Sequence, residues 1–551
     1  MPIDIKPLSR HLLKRMETRF ALQQDGWNDH HFRTLYHLHY RHGDEPTDVT
    51  YIGGVKILKK GQQASGSQLI QLPFDKLSDE WVSVGRSLDY YQRLNELLPE
   101  LREEIMDALN DAVVRPDLVG QFKNEEGWRV SLFRDNSDWR AFLADASALY
   151  EGNFSAFADV DETFSFTPAG SKEAIEFNFE SPVPPLYDGP FRPLGPSKRN
   201  TLLPDRVIVL VGRNGSGKST LLARLTHLAF ASPQERATKE LSALGTLAPP
   251  SIGFMRVITI SYSAFDSFVV PGLDAKDLSQ RTQDLGSGDG RFVFCGLRDL
   301  VAEARADVER DAEKKPKDSE ELQLERRTNT RLKPVEKLAD EFAALVSRIR
   351  SENRVELLEA ALEPLLGDAS FAELKGQLAL LTGDSIGARA VFLNWSTGHK
   401  IALHVVASLV AHARPRSLVL FDEPEAHLHP PLMAALMHSV RVVLTEVNAL
   451  CIAATHSPVL LQETLSRHVR RVRRTGALLE VTTPNLETFG ENVGVLTYDA
   501  FGLTASSTDY HKVLNLLVLG CDSPDEIEAL FQPGLSAQAR AYVLSQFARK
   551  K

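Results

Sequence analysis

Cysteine is scarce: the 551 residues contain three, Cys295, Cys451 and Cys521, far apart and in no CxxC pair. That spacing excludes a disulfide scaffold and a cysteine-built zinc site, and it fits a reducing cytosol. Long apolar runs are missing too. Stretches such as Val207–Val211 are far shorter than the roughly 20 residues a bilayer-spanning helix takes. The first residues, MPIDIKPLSRHLLKRMETRF, hold no uninterrupted apolar core, so a signal peptide is not expected. The expectation is a cytoplasmic protein with no membrane contact. Positive charge is not in excess: 63 Lys and Arg face 73 Asp and Glu, a net −10. No global field draws such a chain to nucleic acid or anionic lipid, so any such contact needs a local basic patch. What remains is ordinary for a globular chain, 43% hydrophobic and 25% charged, with length for about three domains.

Residues 1–185 read as a mixed α+β domain. Phe32–Arg41 alternates like a strand, with Phe32, Tyr36, Leu38 and Tyr40 on one face and Arg33, His37, His39 and Arg41 on the other. A second strand is expected at Val49–Leu58. Residues 78–114 read as helical, with Leu94, Leu97, Leu98 and Leu101 at helical spacing. The Pro- and Gly-dense stretch SPVPPLYDGPFRPLGP (181–196) reads as a linker. From there to 482, short apolar strands alternate with helices, the pattern of an α/β domain. Residues 299–385 interrupt it with charged, helix-forming sequence and read as a helical insertion. Within them, 309–337 carries nine basic and eight acidic side chains and should be solvated. Residues 483–551 read as a mostly helical segment, with Ser523, Pro524 and Glu526 marking one helix start.

VIVLVGRNGSGKSTLLARL (207–225) carries the strongest chemical signal. Gly212, Gly217, Lys218 and Ser219 fit G-x-x-x-x-G-K-[ST] between an apolar strand and a helix. Glycines let this backbone fold tightly, so the N–H groups of Asn214, Gly215, Ser216, Gly217 and Thr220 can face phosphate oxygens beside a helix dipole. Lys218 can bridge the β- and γ-phosphates of ATP, and Ser219 can coordinate Mg²⁺. In SLVLFDEPEAHLHP (417–430), a buried apolar strand ends in Asp422 and Glu423. Burying two carboxylates is costly unless they meet a cation or handle a proton. Asp422 fits a Mg²⁺ contact and Glu423 the base that activates water. ALCIAATHSP (449–458) is another apolar strand, ending in His456, which can reach the γ-phosphate. Ser457 and Pro458 read as the cap and first position of the next helix.

In FLNWSTGHKIALHVVASLVAHA (392–413), Ser396, Gly398 and Lys400 open a helix and form a second turn suited to an anion. Together these segments resemble the ABC-type ATPases of the SMC and RecF group. That resemblance implies that Ser396, Gly398 and Lys400 act in trans, on ATP held by the partner copy at Gly212–Thr220. It also implies ATP-dependent assembly as a homodimer or higher homo-oligomer. One family element is missing: the strand VITISYSAFDSF (257–268) ends without the usual glutamine, leaving Ser261, Ser263 or Asp266 as stand-ins.

A narrower resemblance rests on TYIGGVKILKKG (50–61), SLDYYQRLNEL (87–97), ISYSAFDSF (260–268), NWSTGHKIALH (394–404) and ETFGENVGVLTYDAFGL (487–503). These are similar to the PtuA ATPases of Septu and retron anti-phage defence systems. Such a relationship implies a regulatory ATPase partnered by a PtuB-like HNH nuclease, and in retron versions by a reverse transcriptase and its multicopy DNA–RNA. A RecF-like repair ATPase that binds DNA directly is the competing reading, and a non-hydrolysing ATP-bound scaffold is a third. The chain itself shows no complete nuclease motif. His30, His31, His37, His39 and His42 read either as an exposed polar strand face or as a metal site. The run RHVRRVRR (467–474) reads either as a phosphate-binding patch or as a solvated edge strand or partner salt-bridge surface.

Overall fold

The computed structural model describes the chain apart from residues 1–2, 7–15, 17, 26–31, 42–48, 64–69, 71–73, 96, 135–138, 152–162, 172, 181–202, 232–234, 251, 267, 272–284, 286–287, 289, 314–329, 374, 378–384, 477, 502–508 and 551. Near the N-terminus, β1 (Ile3–Lys6), β2 (Phe20–Gln24), β3 (Leu35–Arg41), β4 (Val49–Lys59) and β5 (Trp81–Gly85) form a five-stranded sheet in that order. Strands β1 and β2 are parallel; the other pairs are antiparallel. Helices Leu88–Asn95, Pro99–Ala108, Pro116–Phe122 and Trp139–Glu151 follow, and their apolar faces share one core with the sheet.

Two details depart from the sequence reading. Trp81–Gly85, inside the stretch read as helical, is a strand paired with β4. Its valines are both buried, and Gly85 sits where a Cβ would lie 2.3 Å from the Tyr90 ring. The leucine spacing also breaks: Pro99 starts a new helix and leaves Leu98 68% exposed. The histidines of β3 form no exposed face either. A register irregularity between Leu38 and His39 disrupts the alternation. His39 is buried edge-on to Tyr51, and burial, then the charge of His37, pushes its pKa down to about 4. His37 bridges Asp25 at 2.7 Å and the Tyr51 hydroxyl at 2.9 Å. No group of three or more His, Cys, Asp and Glu side chains placed to hold a metal occurs among the described residues; His30, His31 and His42 lie outside them.

Asp111 gives this core a pH response. It is fully buried, accepts hydrogen bonds from the Tyr91 hydroxyl and the Val113 N–H, and is pushed up to about 7, mainly by burial. A folded-state value above the unfolded value of about 4 means that the folded chain holds this proton more tightly. The stability it contributes is full below about pH 4 and is lost as pH rises to about 7. Asp111→Asn should therefore flatten the response. Between about pH 5 and pH 8 the variant's Tm should fall less than that of the wild type; parallel curves would reject the assignment.

The second body contains β6 (Thr163–Pro168), β7 (Ile175–Asn178), β8 (Val207–Val211), β9 (Gly245–Ala248), β10 (Val257–Ser261), β11 (Phe292–Gly296), β12 (Leu418–Asp422), β13 (Leu450–Thr455), β14 (Val469–Thr475) and β15 (Leu478–Thr482). Its main sheet runs β11-β10-β12-β13-β8-β14-β15, parallel except for the β14–β15 hairpin. This is a mixed α/β fold with a parallel sheet covered on both faces, which explains the unbroken apolar strand sequences. Alternate residues feed two cores. Val207, Val209 and Val211 join the helices Val335–Ser351, Ser385–Asn394, Thr397–His412 and Pro430–Val447. Ile208 and Leu210 face the helix Lys218–Phe230 and the small sheet β7-β6-β9.

That small sheet crosses the boundary read at 185. Strands β6 and β7 precede the proline-rich stretch, yet β6 pairs antiparallel with β9, and Phe164, Phe166 and Phe177 pack on Leu221 and Leu225. Part of the helical insertion likewise belongs to the core: Leu338, Phe342, Val346 and Ile349 of Val335–Ser351 are buried. Most of the charged stretch 309–337 falls outside the described residues. At the C-terminus, Asp509–Gly520, Pro524–Glu528 and Ala537–Lys550 gather a separate small core of Leu514, Val518, Ile527, Leu535 and Val543. Leu516 and Leu519 stay exposed. No helix among the described residues is long and apolar enough to cross a membrane.

Candidate functional site

Strand β8 ends at Val211, and the chain turns sharply at Gly212. A Cβ there would lie 2.2 Å from the Val472 carbonyl oxygen, so only glycine fits against β14. Gly215 and Gly217 take φ of 78° and 98°, the left-handed region that costs glycine nothing. Gly217 caps the helix Lys218–Phe230, aiming its N-terminus back at the loop. The buried Lys218 Nζ donates to the carbonyls of Gly212 at 2.8 Å and Arg213 at 3.3 Å. Burial lowers its pKa, while Asp422, Glu423 and Glu425 act in the opposite direction. Ser216 Oγ is buried without a hydrogen-bond partner among the described residues.

Asp422 ends β12. One strand, β13, separates β12 from β8, and the Ser219 hydroxyl spans that gap to donate to Asp422 Oδ1 at 3.0 Å. Asp422 is pushed up to about 7, first by burial and then by Glu423 and Asp266, with Ser219 and Lys218 opposing. A desolvated carboxylate beside a hydroxyl on the first turn of a helix is the kind of hard oxygen pair that Mg²⁺ takes. These residues fit that ion.

Glu423 follows in left-handed backbone, φ 51°, while its N–H still donates to the Ala454 carbonyl at 2.8 Å. The carboxylate is thus lifted off the strand end and part-exposed. His456 follows the end of β13. Its Nδ1 lies 3.8 Å from Glu423 Oε1 and 3.0 Å from Glu425 Oε1, and its backbone N–H donates to the same Glu425 oxygen at 2.7 Å. Glu425 was not singled out by the sequence reading. The signal available was its place three residues after Asp422, in the same turn.

Ser396 caps the helix Thr397–His412, its Oγ accepting from the His399 N–H at 3.4 Å. A Cβ on Gly398 would meet the His427 carbonyl at 3.3 Å, so this turn packs on the loop after Glu425. His399 Nε2 is 3.0 Å from Ser370 Oγ. The structure thus brings Gly212–Thr220, Asp422, Glu423 and His456 together. Among the described residues, the recorded contacts of Ser396 and Gly398 run elsewhere.

Of the three stand-ins for the missing glutamine, Ser261 sits in register with Asp422. Ser263 accepts from the Phe265 N–H. Asp266 lies 3.5 Å from Arg298, which also grips Glu303 at 2.7 Å. The basic run divides as well. Arg470 is buried against the Glu176 carbonyl, and Arg471 pairs with Asp499 at 2.9 Å. Arg467, Arg473 and Arg474 remain exposed.

Residues 294–462 match the protein family described as "AAA domain, putative AbiEii toxin, Type IV TA system". The match takes in the Ser396 turn, the acidic strand and His456, and begins downstream of the phosphate loop. The findings support a P-loop ATPase domain. Protein ea59 of Escherichia phage lambda is 29% identical over 521 residues, covering 90% of this chain and 88% of that protein. Among solved structures, an inward-facing ABC transporter of the metal-chelate type overlaps 58% of this chain and 83% of its own, at 13% identity and a TM-score of 0.25. An overlap that low carries no argument.

Proposed function

We propose that the protein binds ATP with Mg²⁺ on the loop Gly212–Thr220 and hydrolyses it. The observation that supports this best is the 3.0 Å contact between Ser219 and Asp422, beside Lys218 and with Glu423 next in line. Loop N–H groups and the helix N-terminus meet the phosphates, and Lys218 exchanges its carbonyl partners for phosphate oxygens. Ser219 and Asp422 would hold Mg²⁺, which when bound neutralises charge on the β- and γ-phosphates. Glu423 takes a proton from the attacking water. Glu425 anchors His456 so that its ring meets the γ-phosphate. Lys218→Ala should abolish ATP binding in equilibrium titrations; retained affinity would reject the site.

The ABC-type reading adds that Ser396, Gly398 and Lys400 complete this site on a second copy. Ser396 capping the N-terminus of Thr397–His412, a positive dipole end suited to a phosphate, supports it. Mixing Lys218→Ala chains with Ser396→Arg chains should restore one intact site per dimer and recover ATPase activity that neither has alone. No recovery in confirmed heterodimers would count against action in trans.

The finer role, control of a PtuB-like HNH nuclease in anti-phage defence, rests on the PtuA resemblance. Direct DNA binding is less well supported, because Arg470 and Arg471 are spent on internal partners. Affinity purification with the neighbouring gene products present tests the partnership: an ATPase that captures no HNH protein would end it.

A further inference from the structure

The short helix Ala369–Ala372 lies in the helical insertion, and no step above uses it. Its cap is Asp368, whose side chain is only 5% exposed. A carboxylate so buried needs partners to offset its lost hydration. Oδ1 accepts from the backbone N–H groups of Ser370 at 3.0 Å and Phe371 at 3.2 Å, and from the Ser370 hydroxyl at 2.5 Å. Oδ2 lies 3.5 Å from His429 Nε2. Burial raises the Asp368 pKa, but the hydrogen bonds from Ser370 and Phe371 and the charge of His429 outweigh it and hold the carboxyl below its usual value. Near neutral pH the group is therefore ionised and can only accept.

That fixes the protons along two branches. The Ser370 hydroxyl has one proton, and the carboxylate takes it. Ser370 Oγ then accepts from His399 Nε2, 3.0 Å away, so His399 carries its proton on that nitrogen. On the other branch, His429 Nδ1 accepts from the Leu432 N–H at 3.1 Å, which leaves its Nε2 as the protonated nitrogen that meets Asp368. The first branch ends in the turn that opens Thr397–His412. There the His399 ring stands edge-on to Phe371 and Trp395, with centroids 5.4 and 6.0 Å away, and its backbone N–H donates to the capping Ser396. The second branch ends in the loop that follows Glu423 and Glu425, where His429 caps Pro430–Val447. One carboxylate of the insertion thus ties down both the Ser396 turn and the acidic loop. A turn that must meet a phosphate held by another copy gains from such fixing, because a misplacement of about 1 Å can cost about a hundred-fold in rate.

We propose that Asp368 and Ser370 are positioning residues for ATP hydrolysis: through His399 they hold the Ser396 turn of one copy where it meets ATP bound to the other. This rests on the reading that the turn acts in trans. Ser370→Ala removes the hydroxyl of the first branch, and Ser370→Thr keeps one. The alanine variant should bind ATP as the wild type does and, at saturating ATP, turn it over about ten- to a hundred-fold more slowly. The threonine variant should recover most of that loss. Copies are then mixed. In a dimer of a Lys218→Ala chain with a Ser396→Arg chain, the working site joins the phosphate loop of the second to the turn of the first. Ser370→Ala added to the Lys218→Ala chain should cut the recovered activity, and added to the Ser396→Arg chain should leave it. An equal loss in both placements, or a loss in neither, overturns the proposal. So does a threonine variant as slow as the alanine one, or an alanine variant that loses ATP affinity in step with turnover, the mark of a general loss of structure. No activity in the mixed dimer without Ser370→Ala overturns the trans reading, and this one with it.

Discussion

Glu423→Gln protein is expected to bind ATP within a few-fold of the wild type and to turn it over roughly a hundred- to ten-thousand-fold more slowly. Glutamine keeps the size and the backbone of the residue it replaces. The left-handed turn and the N–H donated to Ala454 carry over, so the geometry of the strand end survives. What is lost is the acceptor for the proton of the attacking water. The Ser219–Asp422 pair and Lys218 are untouched, so binding persists. Equilibrium binding and phosphate release, measured on the same preparation, separate the two effects. Turnover at the wild-type rate would remove Glu423 from the role of base.

Arg298→Ala should be the most destabilising single change near the site, by roughly 3–5 kcal/mol. Arg298 is 1% exposed and makes a two-point contact with Glu303, at 2.7 and 3.2 Å. It also donates to the Phe268 carbonyl at 2.7 Å and reaches Asp266 at 3.5 Å. Both carboxylates are buried, and burial already pushes Asp266 up against the pull of Arg298. Taking the cation away leaves two acids in an apolar setting, the arrangement that costs most. Urea unfolding monitored by fluorescence reads the loss. A loss under about 1 kcal/mol would mean that water reaches the pair.

The phosphate-loop and acidic-strand motifs were legible because each is local. A phosphate loop is one turn between one strand and one helix, and Asp422 and Glu423 are neighbours. What joins distant segments was not. Glu425 meets His456 across 31 positions of chain, and nothing in either segment names the other. The hairpin β6–β7 was placed with the N-terminal unit because β9, its pairing partner, comes only after the phosphate loop. The strand Trp81–Gly85 was hidden by leucines spaced like a helix on its C-terminal side. In RHVRRVRR the residue type was visible but the partners were not, so buried and exposed arginines looked alike.

The pairing of β6 with β9 bears on how such a protein can be divided. The proline-rich stretch at 181–196 invites a cut, whether by a protease, a cloning primer or recombination between genomes. A fragment that starts there parts from β6 and β7, and so strips one side from β9 and uncovers the apolar side chains that Phe164, Phe166 and Phe177 cover. Exposed strand edges and aromatic patches are what drive chains to aggregate. A transferable ATPase cassette must therefore begin ahead of Thr163, and natural exchange of the N-terminal sheet should have its seam between Glu151 and Thr163 rather than at the prolines.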